Sequence, residues 1–229
     1  MKRKGNLYNE IYKFDNIVKT FHEICRNTKN KRKVNKFREF KCLNISRIHN
    51  ILKNHKYEVG PYIVFQITEP KPRTIVSQQM TDKLVNHLVS RYILQPALEP
   101  CFIDENVASR AGKGTKAGLD YYKKFRRDCK IKYGTYYILK CDVQKYFASI
   151  DHDLLKAKLK KKIKDKDALE SVFKIIDSNE PGLGIGNMTS QVLAVFYLND
   201  LDHYIKEELK IRYYVRYQDD FLLFHESKE

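Results

Sequence analysis

At 229 residues the chain is long enough to bury a hydrophobic core, as one large domain or two closely joined ones, and its 42% hydrophobic and 12% aromatic content excludes a disordered polymer. Its 44 Lys and Arg against 28 Asp and Glu leave a formal charge of +16, which points to a polyanionic partner, nucleic acid above all. No run of about 18 apolar residues exists and the N-terminal MKRKGNLYNEIYKF lacks the apolar centre of a secretion signal, so the expected setting is soluble and cytoplasmic, with no membrane partner.

In chain order, residues 6 to 24 place Leu7, Ile11, Phe14, Ile17, Val18, Phe21 and Ile24 at helical spacing and predict one amphipathic helix. The segment KNKRKVNKFREFK (29 to 41) interleaves Phe37 and Phe40 with Lys and Arg, which suits a phosphate backbone and equally a solvated helix face. YIVFQI (62 to 67) is strand-like, Pro70 and Pro72 favour extended backbone after it, and the two runs predict a hairpin. Helical spacing returns over 80 to 98 through Leu84, Leu88, Tyr92 and Leu94. SRAGKGTKAG (109 to 118) is a Gly-rich basic loop that fails the P-loop pattern, since Gly114 follows Lys113 where Ser or Thr is required. YYILKCDV (136 to 143) predicts a strand, and Asp151 opens a Lys-rich helix whose cations form a solvated face. The turn PGLGIGN (181 to 187) leads into a helix from Met188 to Leu209, apolar nearly all round in its first half and therefore buried. IRYYVRY and DFLLF, separated by Gln218-Asp219, predict a tight hairpin. The five cysteines, Cys25, Cys42, Cys101, Cys129 and Cys141, are scattered without a CxxC pair, and the seven histidines show no HExxH spacing, so neither a disulfide framework nor a zinc site has support.

The chemistry lies in the carboxylates. Asp219 and Asp220 sit at the tip of the last hairpin, and Asp142 ends an earlier strand. Two ionised carboxylates held about 4 Å apart repel by roughly 4 kcal/mol at an effective dielectric of about 20, so a rigid pair calls for a cation or a proton. Were the strands from 136 and 212 neighbours in one sheet, Asp142, Asp219 and Asp220 would converge at its edge as oxygen ligands for Mg²⁺, with Mn²⁺ the alternative; a pair of such ions serves phosphoryl transfer. An Asp-Asp pair by itself is common in surface turns, and it is the strongly apolar flanks that favour a site.

Three boxes in order now point to a family. YQDD (217 to 220) resembles the YxDD box of reverse transcriptases, and DVQKYF (142 to 147) resembles the box that carries their first metal-binding aspartate and, five positions on, an aromatic steric gate. IGNMTSQ (185 to 191) lies between them, and KPR (71 to 73) and SRAGKGTKAG are similar to the fingers segments. The resemblance covers roughly residues 60 to 229 and implies an α+β right-hand polymerase, its antiparallel palm sheet packed on helices. It divides the chain into an N-terminal extension and fingers (1 to 135) and a palm (136 to 229) with an interleaved fingers segment at about 152 to 186. The sequence stops nine residues after Asp220, so a thumb is expected to be absent. The implied roles are catalysis and metal binding at Asp142, Asp219 and Asp220, and nucleotide binding at Arg73, Arg110, Lys113, Phe147, Ile185, Gly186 and Gln191. Plainer roles remain open at several of these: the basic fingers residues would equally touch template phosphate, Phe147 would fill core beneath the strand, and Ile185 would only pack its loop.

The middle box narrows the resemblance. Most bacterial reverse transcriptases carry QGxxxSP there, whereas Ile185-Gly186-Asn187-Met188-Thr189-Ser190-Gln191 is similar to the IGxxxSQ form of diversity-generating retroelements. Those enzymes copy a template RNA into cDNA with errors at adenines and work with a small basic accessory protein. Lys116 departs from that group, which has His at the matching position. The alternatives are another bacterial retroelement or phage-defence reverse transcriptase (group II intron-like, retron-like or abortive-infection type) and an inactive RNA-binding fragment. RNA-directed RNA polymerases and cyclic-dinucleotide synthases fit less well, since their characteristic hairpins, GDD and GG-acidic-EF, are missing.

Overall fold

The computed structural model describes residues 2–28, 31–69 and 72–228, apart from the side chains of Lys31 and Arg73. The predicted first helix is two: α1 (Tyr8–Ile11) and α2 (Phe14–Asn27), broken where Lys13 turns extended. The break has partners that hold it. The Asp165 carboxylate accepts the Leu7 and Tyr8 amides at 2.7 and 3.0 Å, and Asn16 Nδ2 donates to the Glu10 carbonyl at 2.8 Å. The apolar stripe of α2 is buried at Ile17, Phe21 and Ile24 as its spacing requires. The basic segment forms α3 (Lys31–Glu39), which buries Val34 and Phe37 and turns its other described residues out. Next, α4 (Lys41–Lys53) buries Ile45, Ile48 and Leu52.

The hairpin expected from 62 onward is β1 (Ile63–Ile67) paired antiparallel with β2 (Arg73–Ser77), from Ile63 opposite Ser77 to Ile67 opposite Arg73. The helix expected over 80 to 98 runs as α5 (Met80–Val89), a wider π-type turn over Ser90–Leu94, and α6 (Gln95–Leu98). The Gly-rich loop ends at Gly114 and starts α7 (Thr115–Tyr133), which the sequence pattern did not disclose. After β3 (Tyr137–Cys141) come α8 (His152–Lys160), α9 (Lys166–Asp177) and α10 (Met188–Tyr197). Asp151 and Asp165 are the N-caps of α8 and α9, accepting the Leu154 and Ala168 amides at 2.7 and 3.1 Å. The long helix predicted from Met188 stops at Tyr197, and α11 (Asn199–His203) continues in a π-type turn over Tyr204–Glu208. The chain closes with β4 (Tyr213–Tyr217) and β5 (Asp220–His225).

The second sheet has the order β3-β5-β4, antiparallel throughout. This corrects the expectation that the strands from 136 and 212 are neighbours: β5 lies between them, because the tight turn folds it back onto β4 and its other edge takes β3. The main core joins α1, α2, α4, α5, α6, α8, α9 and α10, and the predicted apolar half of α10 is buried continuously from Val192 to Phe196. Each buried Val, Leu or Phe of that stretch contributes about 1.5–3 kcal/mol. A smaller core sets Phe125 and Cys129 of α7 against Tyr213, Val215 and Phe224 of the sheet. The architecture is α+β, with antiparallel sheets packed on helices.

Candidate active site

Alternation along β4 buries both faces. Tyr213 and Val215 meet α7, while Tyr214 and Arg216 point the other way, with Arg216 and Asp202 of α11 both fully buried. Arg216 grips Asp202 with two prongs, Nε to Oδ1 and NH2 to Oδ2, each at 2.6 Å. The same carboxylate accepts the Tyr214 hydroxyl at 2.6 Å and Asn106 Nδ2 at 3.0 Å. Burial, then the Asp202 charge, push the Tyr214 hydroxyl up, so it stays a donor. The remaining arm of Arg216 donates to the Gln218 carbonyl at 2.7 Å and so reaches the turn itself. Gln218 holds a left-handed φ of 58°, and its Nε2 donates to Ser109 Oγ at 2.9 Å. A charged network thus braces the Gln218-Asp219 turn from behind.

The three predicted carboxylates stand at one end of the sheet. Register pairs Cys141 with Phe221 and Tyr217 with Asp220, so Asp142, the next residue after β3, is level with Asp220, and Asp219 occupies the turn between the strands. Asp142 and Asp220 are exposed and Asp219 is half-buried. Among the described residues no group of three His, Cys, Asp or Glu closes on one point. Lys140 Nζ stands 3.5 Å from Asp220 Oδ1, a cation beside the acidic edge. The three side chains offer oxygen donors alone, the ligand chemistry of a hard divalent ion, and Lys140 is the cation that stands at this edge.

The other predicted residues fall around this edge. Phe147 lies half-buried in the turn Tyr146–Ser149, packed against the main core, with its ring edge-on to Tyr146 at 5.8 Å between centroids. Its carbonyl accepts the Leu183 amide at 2.8 Å, and a Cβ on Gly182, whose φ is +68°, would come within 2.1 Å of that oxygen, so only glycine fits. The Ile185 carbonyl accepts the Val76 amide at 3.1 Å, which docks the β1-β2 hairpin on the middle box. Gly186 (φ +118°) lies against the Val76 carbonyl. Gln191 is exposed on α10, and its carbonyl is 3.5 Å from Gln218 Nε2. Arg110 and Lys113 are held within their own loop: Arg110 binds Glu99 at 2.7 Å and the Ile103 and Asn106 carbonyls, and Lys113 binds Asp104 at 2.5 Å. Lys113 and the Tyr121 hydroxyl hold the Asp104 carboxyl below the usual carboxylate range. Arg73 belongs to β2, and its side chain is outside the described residues. Sequence reasoning missed Asp202, Arg216, Ser109 and the bracing role of Gln218. An Arg inside an otherwise apolar strand was the available signal.

Residues 67–229, more than half of the chain, match the family model described as reverse transcriptase (RNA-dependent DNA polymerase). An "uncharacterized 91 kDa protein in cob intron" of Schizosaccharomyces pombe is 29% identical over 181 residues, which is 72% of this chain but 21% of that protein. Among solved structures, a partial Cas6-RT-Cas1–Cas2 complex and the Cas6-RT-Cas1–Cas2 complex each align over 97% of this chain at 16% identity and a TM-score of 0.49, covering 39% and 24% of the respective chains. The chain thus spans about a fifth of the length of the curated relative it matches. No helix among the described residues is long and apolar enough to cross a membrane. With the family match running through all three ordered boxes, from the end of β1 to the hairpin that bears Asp219 and Asp220, this chain belongs to the reverse transcriptase (RNA-dependent DNA polymerase) family.

Proposed function

We propose that the chain forms the fingers (1 to 135) and palm (136 to 229) of an RNA-directed DNA polymerase that adds deoxynucleotides to a primer or cDNA 3′-end on an RNA template. The observation that carries this reading is the placement of Asp142 level with Asp220, with Asp219 in the braced turn, in a chain of this family. Reverse transcriptases generally use divalent metal ions; here Asp142 and Asp219 would hold Mg²⁺, with Asp220 in support. Such an ion neutralises charge that develops on the transferred phosphoryl group and the leaving oxygen. The chain's own residues position: Arg216 fixes the turn, Gly186 lets β2 approach the middle box, and Phe147 faces the sugar of the incoming nucleotide. Primer extension on an RNA template with Mg²⁺ tests the reading, and RNA binding without any metal-dependent extension would reduce the chain to a binding module.

Phe147→Ala supplies a sharper test. A ring beside the sugar leaves no volume for a 2′-hydroxyl and offers it no hydrogen bond, so the truncated variant is expected to use ribonucleotides at least about tenfold better relative to deoxynucleotides. Unchanged discrimination would return Phe147 to a packing role.

The IGxxxSQ form supports an error-prone enzyme of the diversity-generating retroelement type, acting with a small basic accessory protein. Ile185 offers packing where most of the family places an amide able to hydrogen-bond near the nascent pair. A contact worth about 1.4 kcal/mol more to the correct pair changes error frequency roughly tenfold. Ile185→Gln is therefore expected to lower misincorporation opposite template adenines at modest cost in rate, read by sequencing cDNA from an adenine-rich template. An intron-borne reverse transcriptase is the second reading, favoured by the likeness to a protein in the cob intron. An unchanged adenine error spectrum in the Gln variant, with activity retained, would remove Ile185 from the mechanism and count against the retroelement reading.

A further inference from the structure

Two half-buried residues at the site, Ser109 and Gln218, hold backbone conformations that suit glycine, with φ +54° and +58°. Neither is Asn or Asp, whose short side chains ease the left-handed region by bonding to nearby backbone. Their side chains meet each other instead: Gln218 Nε2 donates to Ser109 Oγ at 2.9 Å. The amide nitrogen carries two protons, and a second acceptor, the Gln191 carbonyl, stands 3.5 Å away. Oε1 of the same amide is buried without a hydrogen-bond partner among the described residues, so the side chain is held by its donor end. A left-handed backbone that glycine would adopt without strain, occupied instead by two side chains that bond each other, points to the contact as the reason for both residues.

The residues that meet here come from three separate stretches. Ser109 opens the Gly-rich basic loop, Gln191 closes the middle box, and Gln218 stands in the turn beside Asp219. Below this junction the root of the loop is fixed to β4: the Val107 amide donates to the Arg216 carbonyl at 3.0 Å, and the Arg216 amide to the Glu105 carbonyl at 3.1 Å. Between them Asn106 is tied to Asp202, and the Gly114 amide closes the loop on the Val107 carbonyl at 2.8 Å. Ser109 carries that anchorage up to the turn. Arg216 holds Gln218 by its carbonyl and Ser109 holds it by its side chain, and two holds on one residue fix its orientation where a single one leaves it free to pivot. We infer that Ser109 is a positioning residue for nucleotide addition: through the Gln218 side chain it sets the orientation of the turn that carries Asp219 against the basic loop and the middle box. The inference rests on the polymerase reading and extends it to a residue outside the two boxes that carry the carboxylates.

The test compares the full chain with Ser109→Gly, Gln218→Asn and the double variant. Both replacements tolerate a left-handed φ and both delete the contact, the second because its amide is a methylene short. Each single variant is expected to keep its thermal midpoint at or above that of the wild type, since backbone strain is relieved at Ser109 and not increased at Gln218. Each is nonetheless expected to lower kcat for RNA-templated extension about tenfold, with KM for the deoxynucleotide changed by less than about twofold, because the turn is displaced and the contacts that bind the nucleotide are not. The double variant is expected to be no slower than the slower single, as one shared contact requires. Hydrogen exchange at the amides of 217 to 221 needs no turnover and is expected to be several-fold faster in all three. A kcat within about twofold of the wild type in either single variant, a loss confined to KM, losses that multiply in the double, or unchanged exchange in the turn overturns the inference. Wild-type primer extension is measured alongside: extension present while these signatures are missing removes the positioning role alone, and extension missing removes the polymerase reading itself.

Discussion

Replacing Asp142 or Asp219 by Ala is expected to lower the proposed RNA-templated nucleotide addition by about a thousandfold and to leave the fold standing. The size follows from the task assigned to these groups. Charge stabilisation by a metal centre is worth several kcal/mol in the transition state, and each 1.36 kcal/mol is a factor of ten in rate. The fold is expected to survive because Asp142 is exposed beyond the last β3 pair and the turn that carries Asp219 is held at Gln218 by Arg216 and Ser109. Removing one negative charge from a crowded edge also relieves repulsion, so the thermal midpoint holds or rises slightly. Mn²⁺ binding followed by electron paramagnetic resonance gives a readout that needs no turnover, and both variants are expected to lose it. Near-normal extension by either would move the metal site elsewhere.

The largest expected effect on stability lies one layer deeper. Arg216→Met strands the Asp202 carboxylate in a site with no solvent exposure, and breaking a buried pair from one side costs about 3–5 kcal/mol. Against a total of about 5–15 kcal/mol for a typical domain, that is enough to unfold part of the population near physiological temperature. Arg216→Met combined with Asp202→Leu is expected to recover most of the loss, since no lone charge remains, with a residual deficit from the Tyr214 hydroxyl and Asn106 amide left without their acceptor. Activity is expected not to recover with it. The Gln218 carbonyl has lost its guanidinium donor, and a misplacement of about 1 Å near reacting groups can cost about a hundredfold. Urea melts give the stabilities and primer extension the rates. If rate returns in step with stability, Arg216 only holds the fold together and does not position the turn.

Both predictions depend on features that were unequally legible in the sequence. The β4-β5 hairpin was plain because two polar residues, Gln218 and Asp219, interrupt two aromatic-rich, largely apolar runs, a local signal that tertiary contacts had no reason to override. The carboxylates at its tip were equally visible, but the sheet order was not: which strand takes the free edge of β5 depends on α7 packing against β4 and β5, and α7 itself escaped notice. Its sequence, TKAGLDYYKKFRRDCKIKY, spreads charge around the helix and buries only Phe125 and Cys129, too narrow a stripe for periodicity to reveal. Asp202 in LNDLDH looked like one more surface carboxylate. Only the burial of β4 on both faces shows that Arg216 needs a partner inside. The break before α2 was hidden for a similar reason, since the group that holds α1, Asp165, lies far along the chain.

Strand β3 has a consequence for handling the protein. It pairs with β5 along one side, and Tyr137, Ile138 and Leu139 are 40%, 40% and 59% exposed, which leaves an apolar edge of the kind that invites strand-to-strand adhesion between molecules. What keeps copies apart is colloidal: a net charge of +16 makes every encounter between them repulsive. Salt near 1 M, the usual means of stripping nucleic acid from a basic protein, shortens the screening length to about 3 Å and removes that repulsion. The step that strips polyanions from a basic surface is thus also the step that lets one sheet edge find another.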